Sequence, residues 1–162
     1  MLLESELLTH TYQCGCAALH LQHKEACRSA LRFFDNLVDL FMRPGRSTLP
    51  LAEASLNSLR SLLGTHGSQL MTAIILAIAG VVQASRVRIF APLLKQLVQV
   101  EPSLCNTWAS TAIQSLPADT HKDGAVFLAA IFSAEARESD KTFTAAAEAF
   151  SEACRRKRVQ VG

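Results

Sequence analysis

The chain predicts an all-α protein. Apolar residues recur at steps of three and four through nearly every segment, the pattern of one face of a 3.6-residue helix. No run alternates convincingly with the period of two that a half-buried strand requires. Proline and glycine fall between the periodic runs, where helices start and stop. At 162 residues, 49% of them apolar and 19% charged, the chain is long enough for a real core and too apolar for disorder.

Taken in order, the first helix is expected over residues 2–21, weakened at Cys14-Gly15-Cys16. The second, over 24–42, carries the clearest pattern. Cys27, Ala30, Leu31, Phe34, Leu37, Val38 and Phe41 form one stripe, and Lys24, Arg28, Arg32, Asp35 and Asp39 recur on the opposite side. Arg43-Pro44-Gly45 stops it. A third helix over 51–63 uses Leu56, Leu59, Leu62 and Leu63, with Gly64 and Gly67 as a weak joint, a break or a soft point in one long helix, before a fourth over 67–84. There Leu70, Ile74, Ile75, Ile78 and Val82 are apolar nearly all round, as in a helix covered on both sides.

Prolines set the next starts. Pro92 suits a first helical turn, which places a helix over 91–100. Pro102 does the same for 103–116, with Leu104, Cys105, Trp108 and Ala112 inward, and Pro117 closes it. A helix over 122–137 would pack through Val126, Phe127, Ala130, Ile131 and Ala134. The last, over 140–157, is capped by Asp140 and packs through Phe143, Ala146, Ala147, Phe150 and Cys154. The sum is seven to eight helices, with Phe34, Leu37, Phe41, Trp108, Phe127 and Phe150 as core anchors. Periodicity leaves two architectures open, a globular bundle and an α-solenoid of stacked helix pairs.

Several functions are disfavoured. A net charge of +2 with scattered basic residues does not point to nucleic acid, and the aromatics are mostly Phe at core spacing. Arg155-Arg156-Lys157-Arg158 reads either as a localisation cluster or as a basic helix end facing the negative pole of the dipole. Residues 1–6 contain two acids and no apolar run of signal length follows them. Five cysteines, an odd number, point to a reducing compartment. The uncharged run 67–85 is expected to be a buried helix and not a membrane span, because Ser68, Gln69, Thr72, Gly80 and Gln83 interrupt it.

Cys14, Cys16, His20, His23 and Cys27 are of zinc-binding type, but their spacing matches no common zinc module. Cys105 and His121 could be imagined as a nucleophile and base, yet Cys105 lies on a packing face and no phosphate loop or carboxylate pair accompanies them. Neither a cofactor nor an enzymatic activity is expected. Trp108 reads as an inter-helix core residue before it reads as a binding hot spot.

His23-Lys24-Glu25-Ala26 followed by Arg32-Phe33-Phe34-Asp35-Asn36-Leu37 resembles a helix of the importin-β superfamily, in the branch of transportin-SR and importin thirteen. Gln83-Ala84-Ser85-Arg86 after Ala79-Gly80 is similar to a turn in that branch, as is Val100-Glu101-Pro102 with Cys105, Trp108 and Leu116-Pro117 to another of its segments. The matches fall in family order over about residues 10–117.

The resemblance implies a HEAT-type solenoid that binds protein cargo and shuttles between nucleus and cytoplasm, with nucleoporins as further partners. It also implies a C-terminal segment without the N-terminal repeats that bind GTP-loaded Ran. If the second helix is the inner one of its hairpin, Lys24, Arg28, Arg32, Asp35 and Asp39 would face cargo, joined by Arg86 and Arg88. A compact helical adaptor with one apolar groove is the alternative.

Overall fold

A computed structural model describes residues 2–42 and 53–161. Among these the chain forms eight α-helices and no strand. They are α1 (Leu2–Ala18), α2 (Lys24–Met42), α3 (Glu53–Leu76), α4 (Val87–Val100), α5 (Pro102–Gln114), α6 (His121–Ile131), α7 (Ala134–Glu138) and α8 (Asp140–Val161). The all-α fold is the one the periodicity predicts, and its helices are arranged in the repeat-like manner that the resemblance implies. Residues 43–52, with the expected Pro-Gly stop and the start of the third helix, lie outside the described residues, as does the side chain of Phe41.

The helices form a two-railed ladder. One rail runs α1, α3, α5, α6 and the other α2, α4, α8, each helix touching the next on its rail and its hairpin neighbour across. Direction is fixed by side-chain ties. The Tyr12 hydroxyl donates to His66 O at 3.0 Å, and His20 Nε2 meets Ala73 O at 2.8 Å. Both contacts advance together, so α1 and α3 run parallel. Arg86 donates to the carbonyls of Leu21 and Gln22, which aligns the starts of α2 and α4. Two stacked hairpins of the same sense result. Against them α8 runs antiparallel, since Lys95 pairs with Asp140 at 2.6 Å while Arg88 pairs with Glu148.

The core follows the apolar stripes. Cys27, Ala30, Leu31, Phe34, Leu37 and Val38 of α2 are all buried, as are Leu70, Ile74, Ile75, Ile78 and Val82 in and after α3. Each fully buried large side chain contributes roughly 1.5–3 kcal/mol of transfer free energy. Phe34 meets Tyr12 edge-on at 5.2 Å, and Phe127 stacks on Phe150 at 4.6 Å. Trp108 is half-buried and covers Gly67. Leu104 and Val126, expected inward, are 44% and 66% exposed.

Several boundaries differ from the sequence expectation, each for a local reason. The first helix stops at Ala18 instead of residue 21, its last bonds tightening to Ala17 O and Ala18 O. Gly15 does not weaken it; a Cβ there would stand 3.0 Å from the Phe34 ring, so glycine permits the close approach of α1 and α2. Gly64 and Gly67 do not break the chain either, and α3 is continuous across them.

It ends in a π turn, Ala77–Val81, where Gly80 takes φ +130°. That value is a glycine's, and it turns the chain out of the helix. The next helix begins at Val87, not 91, because Val87, Phe90 and Ala91 bury their side chains. Pro92 therefore sits inside α4 on an exposed face, where its missing N–H costs one backbone bond.

The expected helix 103–116 is α5, Pro102–Gln114, with Pro102 in its first turn. That over 122–137 divides at Ser133, whose Oγ accepts from Ala136 N and starts α7. For α8 the capping hydroxyl is Ser139, which accepts from Thr142 N. Asp140, expected as the cap, pairs with Lys95 instead, and α8 continues to Val161.

Candidate interaction surface

Lys24, Arg28, Arg32 and Asp39 are exposed on α2, opposite its buried stripe. The three cations stand at steps of four, so their Cα atoms span about 12 Å of helix. Arg28 also meets Glu25 at 3.4 Å, an exposed pair of little energetic weight that trims the local charge. Such a row attracts an acidic partner and orients its approach more than it adds affinity.

The other expected members of the strip are placed differently. Asp35 turns partly inward: its Oδ1 is buried with no hydrogen-bond partner, and burial raises its pKa above the ordinary carboxylate value. Its helical angle lies at the edge of the Leu31–Val38 stripe, which is why a carboxylate there loses water. Arg86 is half-buried and committed to the Leu21 and Gln22 carbonyls, so it joins α4 to the turn between α1 and α2. Arg88 is exposed but bound to Glu148 of α8. Periodicity shows neither fact, because both partners are more than 50 residues away in sequence.

Most of the groups considered for chemistry are held in packing contacts, exposed Cys14 excepted. Cys27 Sγ donates to Leu19 O and Cys105 Sγ to Leu97 O, each eight residues back across a helix junction. His20 and His121 bond the carbonyls of Ala73 and Leu116. Burial pushes the thiols of Cys16 and Cys154 up to about 11 and that of Cys105 up to about 12. Such thiols are poor nucleophiles at neutral pH. Among the described residues no three His, Cys, Asp or Glu side chains gather where they could hold a metal ion.

The basic run at 155–158 is engaged both within α8 and with its neighbours. Arg155 donates to Val82 O and Ser151 Oγ, Arg156 pairs with Glu152, and Lys157 pairs with Asp123 and Asp119 O. By length and composition the stretch Arg60–Val81 could cross a membrane, but most of it is buried against the other helices.

Among the concavities of the described residues, two have largely apolar walls. A shallow groove of about 370 Å³ lies between α1 and α3, with Cys16, His20 and Leu76 along it. A cleft of about 330 Å³ opens beside the π turn, between α8 and the segment leading into α6. The sequence signal for the second was Gly80, a lone glycine within the apolar run 73–82. Compared with known proteins, the chain matches no family model and no curated protein.

Proposed function

We propose that the chain is a protein-binding segment of a nuclear import receptor, holding protein cargo on the exposed face of α2 and catalysing nothing. The observation that carries this reading is the pair of stacked hairpins of one sense, which leaves Lys24, Arg28 and Arg32 in a row on one rail. Stacked helical hairpins bind through spread contacts on such faces. The sequence resemblance supplies the transport context, with nucleus and cytoplasm as its compartments, nucleoporins as further partners and no cofactor. On this reading GTP-loaded Ran acts on other repeats of a full receptor and does not release cargo from this segment.

A pull-down from nuclear extract, quantified by mass spectrometry, tests it. The triple reversal K24E/R28E/R32E should lose its protein partners about tenfold while keeping the wild-type melting temperature. Reversal of Arg60 on α3 should change nothing, and neither should added Ran-GTP. Partners retained by the triple variant, or released by Ran, would contradict the proposal. A compact adaptor is the second reading, favoured by the groove between α1 and α3. It predicts instead that partners are lost on replacing exposed Gln69 in that groove.

A further inference from the structure

We propose that the cleft beside the π turn binds a small amphiphilic acid, one apolar body carrying one carboxylate. Its volume, about 330 Å³, falls at the lower end of the roughly 300–1,000 Å³ typical of small-molecule sites. Ala79, Leu116 and Cys154 form a buried apolar floor, and Pro117 adds a wall. Thr120 directs its hydroxyl to Pro117 O at 2.7 Å, so its donor is already used.

Charge at the rim selects the headgroup. Lys157 is held by the Asp123 carboxylate and the Asp119 carbonyl, and the charges of Asp119 and Asp123 both act on it. Arg158 is exposed and its Nη1 lies against Gly80, and among the described residues no ion pair or hydrogen bond holds its guanidinium. A planar guanidinium fork matches a carboxylate.

The backbone shapes the same rim: the π turn is the C-terminal turn of α3. It carries Gly80 at φ +130°, and a Cβ at Gly80 would stand 3.1 Å from Arg158 Nη1. Glycine here gives both the turn and the space in which the guanidinium lies over the cleft.

The probe is octanoate, titrated into the isotopically labelled chain and followed by amide shifts, with octanol and octylammonium as comparison arms. Octanoate should shift the amides of Ala79, Leu116, Thr120 and Cys154 saturably, with octanol about tenfold weaker and octylammonium inactive. Arg158→Gln should weaken octanoate about tenfold and leave octanol unchanged. Arg156→Gln, at a residue already paired to Glu152, should leave both unchanged. Equal binding of the three probes, shifts scattered over α1 and α2, or an R158Q chain with wild-type octanoate affinity would each overturn the proposal. The cleft and the α2 strip share no residue, so this outcome is independent of the cargo reading.

Discussion

Two glycines three residues apart in α3 should respond to the same substitution with opposite signs. Around Gly64 nothing lies within 4 Å of where a Cβ would stand. Gly64→Ala therefore collects the helix-propensity difference alone, about 1 kcal/mol of added stability. At Gly67 a Cβ would stand 2.3 Å from Trp108 Cη2 and 2.5 Å from Cζ3. Carbon atoms rest at about 3.5–4.0 Å, so the rigid indole must retreat by more than about 1 Å or α3 and α5 must part.

Overpacking of that size costs about 1–3 kcal/mol, against the same gain of about 1. The two variants should thus differ by about 2 kcal/mol. With about 2–4 °C per kcal/mol for a chain of this size, calorimetry should find G64A raised by a few degrees and G67A at or below wild type. Adding Trp108→Leu to G67A should recover most of the loss, since the two sites touch. The reasoning fails if G67A stabilises as much as G64A.

Three further outcomes follow from named groups. Asp35 has a folded-state pKa raised by burial, so ionising it opposes folding, and stability should fall as pH rises from the unfolded carboxylate value through the folded one. Asp35→Asn should accordingly be more stable than wild type at pH 7, by about 1 kcal/mol, and the gap should close below about pH 4 in urea titrations. Arg86→Ala should cost about 1–3 kcal/mol and speed hydrogen exchange around the turn at Leu21 and Gln22, because two carbonyls lose a charged donor. Of the five cysteines, only exposed Cys14 should react quickly with a thiol reagent at pH 7.5, all five reacting in denaturant; fast modification of Cys27 or Cys105 would contradict the buried junctions.

Legibility in the sequence tracked how one-sided each helix is. The stripe of α2 was readable because one face is buried and the other wet, so the 3.6-residue period survives intact. α3 was misread at Gly64 and Gly67 because propensity penalises glycine wherever it stands, whereas Gly67 answers to Trp108 more than 40 residues away. Pro92 misled in the opposite way: burial of Val87 and Phe90 outweighs one lost backbone bond.

Leu104 and Val126 show that an apolar residue in register need not face the core. In the candidate strip, Lys24, Arg28 and Arg32 were legible from spacing alone. The commitments of Arg86 and Arg88, and the cleft under Arg158, depend on contacts between helices distant in sequence, and no local pattern records them.

Site-specific photocrosslinking tests the cargo face most directly. A benzophenone amino acid replaces Arg28 on α2 in one chain and exposed Thr107 on α5, the other rail, in a second. Both are irradiated in nuclear extract. The proposal predicts discrete crosslinked protein partners from position 28, competed by unlabelled wild type and not by K24E/R28E/R32E, with none from position 107. Equal crosslinking from both rails, or crosslinks from position 107 alone, would contradict it.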